Sequence, residues 1–469
     1  MSDKLVFKQF SFSDASELFP FVERSTFLCC DISIGFFAIW RDRLNIHYAI
    51  WNDTCVIRQN YAGLTVFSYP FGKDPDGMMQ LVYDYALENN LSFRLFSVPA
   101  ALLDGLKKYP FVKTVSSSYN ITWSDYIYDC EDIMHFKGKK FNGQRNHINK
   151  FKRLYGEPVL KRIEGEDIPK ILLMMEEYDL EHKDAKSMEK EEEETSKFLL
   201  KHLDDFALFG YCLFVGGRAV GFMIGEVIGE MLIIHVEKAL RSYEGAYPTL
   251  FQSSVRAIKK RFENIKIINR EDDGGDLGLR TSKQQYHPVG RVHKYMAFIN
   301  SPLFYAKLTP IDCGGVFMSA MKETDKLAYY QLCTDEELNR LWGYDYKKDP
   351  SFPKEIDENT FYEVALNDKK AGESVSFALR TSLFEELIGE VIFWNIRGDR
   401  VEIGCRIVKE MQGRGYGKAA FRAAVSYAKN VLKLRPEAKC FIENVSSFKM
   451  ISASGLKLIG QDETYYYFS

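Results

Sequence analysis

The sequence predicts an α/β (α+β) protein of two or three packed units, on three observations. The chain has 469 residues, roughly three times the ~150 expected of one domain. Its 46% hydrophobic and 14% aromatic residues supply several cores and exclude disorder over most of its length. Short β-rich runs alternate with amphipathic helical segments, and this alternation begins anew after residue 310.

The N-terminal part is predicted to begin with a meander of four short strands. They are apolar, β-rich runs separated by turn residues, at 36–40, 46–50, 54–57 and 64–67. The further predicted elements are a helix at 76–90, a charged helical segment at 167–203, strands at 211–215 and 219–227 joined by a turn at Gly216 and Gly217, a strand at 231–236, a helix at 248–262 and a strand at 265–269.

Residues 301–310 are predicted to be a linker, because Pro302 and Pro310 interrupt the pattern. A separate domain is expected from 305 to 469. Its predicted elements are a strand at 316–321, helices at 325–342 and 361–366, a long hairpin at 375–408, a helix at 415–434, a strand at 440–443, a helix at 446–454, and strands at 456–459 and 465–468.

The overall charge is close to balanced, with 62 Lys and Arg against 65 Asp and Glu. This balance argues against a surface built throughout for nucleic acid or anionic lipid. One local basic segment, 137–153, departs from it, with seven basic and no acidic residues. These are Lys137, Lys139, Lys140, Arg145, Lys150, Lys152 and Arg153.

A cytoplasmic location is predicted from two features. No apolar run follows a basic stretch at the start, and the longest uncharged apolar stretch, 206–217, is too short to cross a bilayer. The nine cysteines show no CxxC spacing, which is typical of reduced thiols in a cytosolic chain.

The sharpest local motif is a glycine-rich turn between a predicted strand and a predicted helix. It consists of Gln412, Gly413, Arg414, Gly415, Tyr416 and Gly417, and Lys418 follows in the helix. Such a turn presents unpaired backbone N–H groups and the positive end of a helix dipole, which suits a pyrophosphate. The motif lacks the ending of a Walker loop and the glycine spacing of a dinucleotide-binding fold.

With the segment 443–447 and the turn Ser454-Gly455-Leu456, this motif resembles the GNAT family of acetyl-CoA-dependent N-acyltransferases, over residues 315–469. The resemblance implies that the backbone amides of 413–418 hold the pyrophosphate of CoA, beside Gln412. It also implies cofactor contacts from four further residues: Ile407 and Val408 to the pantetheine arm, and Asn444 and Ser447 to the cofactor.

An N-acyltransferase needs a base to collect the proton of the amine and an acid for the leaving thiolate. Glu390 and Glu402, on predicted strands, are the candidate bases, and the alternative for each is a paired strand carboxylate. The family's usual acid is a tyrosine in the helix after Asn444. Phe448 and Met450 stand there instead, and the tyrosines 465–467 lie on the last strand, so the acid stays unassigned.

Two N-terminal segments, 138–151 and 269–280, are dense in polar side chains. Their candidate substrate- or anion-binding residues are Lys139, Lys140, Arg145, Asn146, Asn269, Arg270, Glu271, Asp272 and Arg280. The basic groups can bind phosphate, and the acidic ones can receive an ammonium group or orient the bases. The alternative is a structural ion-pair network. No metal site is predicted, because the calcium-loop spacing fails and the histidines are isolated.

Both segments resemble the C-terminal domain of phosphatidylglycerol lysyltransferases, over residues 20–300. That family has two GNAT-like lobes in tandem, as in the FemABX aminoacyl-tRNA-dependent transferases. The resemblance implies lobes at 1–135 and 136–300, and with the domain at 305–469 it implies three GNAT-like mixed-sheet lobes. The membrane-spanning half of the lipid enzymes is not expected here.

Three functional hypotheses follow. The first is a cytosolic N-acetyltransferase that moves an acetyl group from acetyl-CoA to a small-molecule or peptide amine, with the N-terminal lobes as a second transferase or substrate site. The second is an aminoacyl-tRNA-dependent transferase that binds tRNA at 137–153. The third is that one domain is a non-catalytic binding module. Neither the acceptor nor the oligomeric state is predicted.

Overall fold

The computed structural model describes residues 4–61, 64–181, 188–206, 208–349 and 352–469. They form three mixed sheets with helices, so the predicted α/β (α+β) class is confirmed. The chain divides into two compact units. We call them the N-terminal unit, with described residues 4–61, 67–79 and 120–294, and the C-terminal unit, with 64–66, 80–119 and 295–469.

The predicted meander is confirmed at three of its four strands. They are His47–Trp51, Thr54–Tyr61 and Leu64–Ser68. The first two pair antiparallel through a turn at Asn52 and Asp53, whose positive φ angles of 46° and 55° suit a tight hairpin. Two short strands extend this part, Lys8–Gln9 and Phe71–Gly72.

The remaining prediction, a strand at 36–40, is wrong, because residues Ile34–Trp40 form a helix. The Oγ of Ser33 accepts a hydrogen bond from the Phe36 N–H and caps the helix. Most of the helix is buried, so its residues are apolar on nearly every side. In a short run that is apolar throughout, the spacing of the apolar residues cannot distinguish a strand from a helix.

A sheet of seven strands lies within residues 120–294 of the N-terminal unit. In spatial order they are Gly290–Val292, Asp125–Asp129, Ile267–Asn269, Met231–Ala239, Arg218–Ile228, Phe209–Val215 and Val159–Arg162. Only the third and fourth pair in parallel. The predicted turn at Gly216 and Gly217 is confirmed, and both have positive φ.

Helices surround this sheet, and those of the N-terminal unit are Ala15–Glu23, Ile34–Trp40, Cys130–His135, Asn142–Tyr155, Ile168–Glu181, Met188–Lys201, Ala246–Arg261 and Leu277–Gln284. The predicted helical segment at 167–203 contains two of them, and its residues 182–187 lie outside the described residues.

In the C-terminal unit, the strand Tyr295–Ile299 pairs antiparallel with Arg94–Val98 on one side and Val115–Ser118 on the other. A separate sheet has eight strands, in the order Ile311–Asp312, Phe317–Ser319, Val375–Arg380, Gly389–Arg397, Arg400–Ile407, Arg435–Phe441, Tyr465–Phe468 and Leu458–Gln461. The helices are Pro75–Glu88, which is mostly in this unit, Ala100–Leu103, Lys326–Thr334, Glu336–Asn339, Thr360–Ala371, Tyr416–Tyr427, its π-helical continuation Ala428–Leu432, and Val445–Ser452.

The predicted linker at 301–310 is packed rather than free in its first half. Leu303 is fully buried and Ala306 is buried within the apolar core of the C-terminal unit. The Oγ of Ser301 donates to the Gly372 carbonyl. Burial of Leu303 therefore fixes this segment to the unit that follows it.

The eight-stranded sheet carries an apolar layer on each face. On one face, Val401 and Ile403 pack in the same core as Phe421 of the helix Tyr416–Tyr427. A second cluster, which includes Tyr329 and Phe361, contains residues of the helices 326–334 and 360–371. Alternate residues of the strand Val375–Arg380 point to opposite faces, so Phe377 and Leu379 join the first cluster and Ala378 joins the second.

Candidate active site

Two neighbouring strands of the eight-stranded sheet separate halfway along their length. Arg400–Ile407 and Arg435–Phe441 run parallel and pair over three residues, as far as Glu402 and Glu437. From Ala438 onward the second strand pairs with Tyr465–Phe468, on its other edge. The remaining edge of the first strand therefore borders an opening, where its main-chain groups can meet an extended ligand arm.

The glycine-rich turn lies at the end of the first strand and is exposed to solvent from Gln412 to Gly415. Gly413 and Gly415 have φ angles of 73° and 85°, which favour glycine. A Cβ built on either would meet no described atom within 4 Å. A charged group could therefore approach this backbone closely.

The helix that follows the turn offers its first amides to the same space. Its first main-chain bond runs from the Ala419 N–H to the Gly415 carbonyl, at 3.1 Å. The amides of Tyr416, Gly417 and Lys418 come before that bond and have no acceptor within the helix. The positive end of the helix dipole adds to their attraction for an anion.

The turn is tied to the strand by Gln412, whose Nε2 donates to the Ile407 carbonyl at 2.9 Å. The contact of Gly417 with the neighbouring helix is tight. A Cβ there would lie 3.1 Å from the Sδ of Met450. The side chain of Arg414 bends back and donates to the Glu410 carbonyl. The turn is thus held by its ends, while its glycines face solvent.

The two predicted pantetheine contacts differ in the structure. The Val408 N–H donates to the Ile388 carbonyl, and its C=O accepts from the Met411 N–H, so both main-chain groups of Val408 are occupied. The Val408 N–H is thus not free for the arm, and the expected pantetheine contact of Val408 stays a prediction. Main-chain groups alternate in direction along an antiparallel pair, so those of Ile407 point the other way, toward the opening. The Ile407 carbonyl already accepts from Gln412, so its N–H is the group that remains for a ligand arm.

Asn444 and Ser447 begin the helix Val445–Ser452. The Oδ1 of Asn444 accepts from the Ser447 N–H at 3.0 Å, so Asn444 is the N-cap of that helix. Both residues are half-buried. The cap explains why an asparagine stands at this place, and it leaves the amide nitrogen of Asn444 to bind elsewhere.

Glu390 is a buried ion-pair partner rather than an accessible base. One carboxylate oxygen accepts from the hydroxyls of Tyr329 and Ser376, at 2.6 and 2.7 Å. The other accepts from Nε and Nη2 of Arg406, at 3.0 and 2.8 Å. With 1% of its surface exposed, Glu390 is saturated by four donors. The geometry favours the paired-carboxylate alternative for this residue.

Glu402 occupies the vertex of the opening, where the two strands part. Its Oε2 accepts from the Asn395 Nδ2 at 2.8 Å, and its Oε1 lies 3.7 Å from the Nζ of Lys439. Although Glu402 is 6% exposed, it has fewer donors than Glu390. Of the two predicted bases, the structure places only Glu402 beside the opening.

The last strand supplies aromatic groups to the same region. The ring of Tyr465 packs on Phe441 at 4.6 Å. Burial, with the nearby Asp462 and Glu402, raises the pKa of the Tyr465 hydroxyl. The hydroxyl of Tyr467 donates to Asp462 at 2.5 Å. These tyrosines are protonated at neutral pH, and none of them lies in the helix after Asn444.

In the N-terminal unit, the predicted residue Asp272 belongs to a buried cluster around Lys294. Its Nζ lies 2.9 Å from Asp31, 2.9 Å from Asp125 and 3.0 Å from Asp272. Burial lowers the pKa of Lys294, but the carboxylates raise it well above its usual value. Asn269 is fully buried and donates to Asp125 at 2.9 Å. With one ammonium against three carboxylates, the cluster keeps an excess of negative charge.

The two predicted arginines of this region are also paired. Arg270 is buried against the rings of Phe251 and Tyr286 and donates to Glu237 at 2.7 Å. Arg280 forms a fork on Asp273, at 3.0 and 3.1 Å. These contacts favour the alternative of a structural ion-pair network for both residues.

Glu271 is held by a histidine that the sequence did not single out. The Nδ1 of His235 lies 2.8 Å from Glu271, and its Nε2 lies 2.8 Å from Glu226. Burial lowers the pKa of His235, but the two carboxylates raise it to about 10. An imidazolium between two carboxylates results.

The basic segment forms the helix Asn142–Tyr155 and the turn before it. Lys139 and Asn146 are exposed. Lys140 pairs with Asp132 at 2.7 Å. Arg145 donates to the carbonyls of Phe136 and Gly138, which fixes the turn. The exposed positive charge is therefore smaller than the seven residues suggest.

Comparison with known proteins decides the family. Residues 28–298, more than half of the chain, match the sequence model described as Phosphatidylglycerol lysyltransferase, C-terminal. The chain belongs to this family. Residues 316–457 match the model of the Acetyltransferase (GNAT) domain. Both predicted resemblances are thus confirmed, and together the two matches support an acyltransferase.

Individual relatives share parts of the chain. A conserved protein of unknown function from Bacteroides thetaiotaomicron is 28% identical, covers 63% of this chain and all of its own, and has a TM-score of 0.59. L-PGS from Bacillus licheniformis is 13% identical, with 61% of this chain and 91% of its own covered and a TM-score of 0.43. The uncharacterized protein MYCGA3080 of Mycoplasmoides gallisepticum is 24% identical over 39% of this chain, which spans 60% of that relative.

The described ranges contain no helix that is both long enough and apolar enough to cross a bilayer. Nor do three or more His, Cys, Asp or Glu side chains of those ranges meet in a geometry for a metal ion. All nine cysteines are free thiols.

Four residues of these buried polar groups were not singled out from the sequence: Asp31, Asp125, Glu226 and His235. Most of their contacts join residues far apart along the chain, such as Asp31 and Asp125 with Lys294, so spacing carries no signal for them. One local signal did exist. Glu226 interrupts an otherwise apolar strand, and a charge in such a run predicts a buried partner.

Proposed function

We propose that this protein is an N-acetyltransferase that moves an acetyl group from acetyl-CoA to an amine, with the transfer in the C-terminal unit. One observation carries the proposal: the parted strands open directly beside an exposed glycine turn at a helix N-terminus. The turn suits a diphosphate, and the opening suits an extended arm. The free thiols suit the reducing cytoplasm, which we propose as its location.

The residues fit this cofactor in two places. The amides from Gly413 to Lys418 would hold the diphosphate, and the main-chain N–H of Ile407 would bind the arm in the opening. Asn444 would add a donor through its amide nitrogen. The cofactor, when bound, supplies an acetyl thioester.

Glu402 is the proposed base, because it stands at the vertex of the opening. It would accept the proton of the amine as the N–C bond forms, and would pass that proton through water to the departing thiolate, so that the carboxylate is regenerated. Asn395 orients the carboxylate through its hydrogen bond. Glu390 keeps Arg406 in place and takes no part in proton transfer.

Replacing Glu402 with glutamine is expected to slow transfer by about 10²-fold to 10⁴-fold, because a general base is lost. Acetyl-CoA affinity should stay within a factor of about two, since Glu402 is outside the glycine turn. The transfer rate is measured from release of the CoA thiol with n-alkylamines as acceptors. The acetyl-CoA affinity is measured by calorimetric titration. The matched control is Glu358→Gln, an exposed carboxylate of the same unit. An unchanged rate in Glu402→Gln would remove this residue from the mechanism.

A second function, aminoacyl-tRNA-dependent transfer, is proposed for the N-terminal unit. It is supported by the family and by the exposed residues Lys139, Lys152 and Arg153 in or next to the helix Asn142–Tyr155. Each phosphate contact that is lost should reduce the slope of log affinity against log salt by about 1.

The double variant Lys139→Glu, Arg153→Glu is therefore expected to weaken binding of lysyl-tRNA and to reduce this salt slope by about 2. Filter binding at several salt concentrations measures both. Lys457→Glu, an exposed site in the C-terminal unit, is the control. Equal slopes for the double variant and the control would dismiss tRNA binding at this helix.

A further inference from the structure

One short segment, residues 339–343, crosses the opening between the parted strands. It lies on the face of Gly404 and Arg406, which alternate with the core residues Ile403 and Ile407. That face is opposite the helix Tyr416–Tyr427, whose N-terminus carries the glycine turn. The 339–343 segment therefore lines the side from which an acceptor would arrive.

Two contacts tie this segment to the first strand. The Nη1 of Arg406 donates to the Oδ1 of Asn339. The indole of Trp342 packs against the strand at Gly404, where a Cβ would be only 2.8 Å from the ring. Glycine at 404 thus makes room for the indole at the border of the opening.

Two further contacts tie the segment to the second strand. Arg340 pairs with Glu443, just beyond the strand end, at 2.9 Å. A Cβ on Gly343 would lie 3.9 Å from the ring of Phe441. Since Phe441 in turn packs on Tyr465, the segment and the two rings narrow the opening from both sides.

Arg406 fixes the position of Trp342. Its guanidinium lies 4.5 Å from the indole and forms the fork on Glu390 described above. Its Nη2 also lies 3.0 Å from the Sγ of Cys333. Burial lowers the pKa of Arg406, but Cys333 and Glu390 raise it, so the group stays charged. A lysine cannot make this planar set of contacts.

We propose that Trp342 determines acceptor specificity, that Arg406 is its positioning residue, and that the acceptor is a primary amine on an unbranched alkyl arm. This inference rests on the proposed acetyl transfer. Methylene groups suit the apolar walls formed by Trp342, Phe441 and Tyr465, and the amine would reach Glu402 at the vertex. A ring or branch at the carbon that bears nitrogen would meet the indole.

The test uses the full chain and two amines with the same number of carbons, n-hexylamine and cyclohexylamine. We expect kcat/KM for the unbranched amine to exceed that for the ring by at least about tenfold, since a hydrophobic pocket discriminates by such factors. In Trp342→Ala the ratio should fall below about threefold. Arg406→Lys should also lower the ratio of the two kcat/KM values, and it should speed hydrogen exchange in residues 336–343. The control is Arg435→Lys, an exposed ion-paired arginine.

Calorimetric titration with acetyl-CoA distinguishes failure of the proposed acetyl transfer from failure of the inference about the acceptor. If acetyl-CoA fails to bind the wild-type chain, the proposed function is lost, and the inference with it. If acetyl-CoA binds but neither amine is acetylated, or both are acetylated equally well, only the inference is overturned. A ratio that Trp342→Ala leaves unchanged, at unchanged acetyl-CoA affinity, overturns the role of Trp342. If Arg406→Lys does not fold, Trp342→Ala still decides.

Discussion

Replacing Lys294 with methionine is expected to lower the free energy of unfolding of the N-terminal unit by about 3–5 kcal/mol. The lysine is 6% exposed and is the cation shared by Asp31, Asp125 and Asp272. Its removal leaves three carboxylates close together in a region with little water. Methionine keeps most of the volume, so the loss reports charge rather than packing.

Urea denaturation, followed by hydrogen exchange in the strands Asp125–Asp129 and Ile267–Asn269, measures this loss. Lys266→Met is the matched control, because Lys266 is 69% exposed and pairs with Glu230 at the surface. Lys266→Met should lower the free energy of unfolding by less than about 1 kcal/mol. A loss for Lys294→Met no larger than that of the control would show that the cluster does not stabilise this unit.

Replacing Gly415 with glutamate is expected to weaken acetyl-CoA binding by at least about 100-fold, or ~2.7 kcal/mol. A side chain at this position points into open space beside the first helical amides. It would place a negative charge within a few ångström of the bound diphosphate and would compete for the same N–H donors. Calorimetric titration of the full chain measures the affinity.

Gly217→Glu controls for the backbone cost of this change. Gly217 has φ of 81°, close to the 85° of Gly415, and a Cβ there also meets no described atom within 4 Å. Both variants pay a similar strain for a left-handed glutamate. If both bind acetyl-CoA as the wild type does, the glycine turn is not the diphosphate site.

How far the sequence predicts the fold depends on whether the decisive contacts are local. The hairpin at Gly216 and Gly217 follows from two adjacent glycines, and the helix Tyr416–Tyr427 follows from its apolar period. The helix Ile34–Trp40 is buried on most sides and has no such period. Its cap, Ser33, is a signal that outweighs the β-rich composition.

The candidate site divides in the same way. The glycine turn is contiguous in sequence, so its geometry could be anticipated. The state of Glu390 depends on Tyr329, Ser376 and Arg406, which the fold brings together from three separate elements. The occupied main chain of Val408 depends on a turn bond to Met411. Neither contact leaves a pattern along the chain.

The most direct test of the proposed acetyl transfer is a crystal structure of the chain with CoA. The account predicts density for the diphosphate within hydrogen-bond distance of the amides from Gly413 to Lys418. It also predicts the pantetheine arm in the opening beside Ile407, on the side away from Trp342. Diphosphate density elsewhere in the C-terminal unit, or none at saturating CoA, would contradict it.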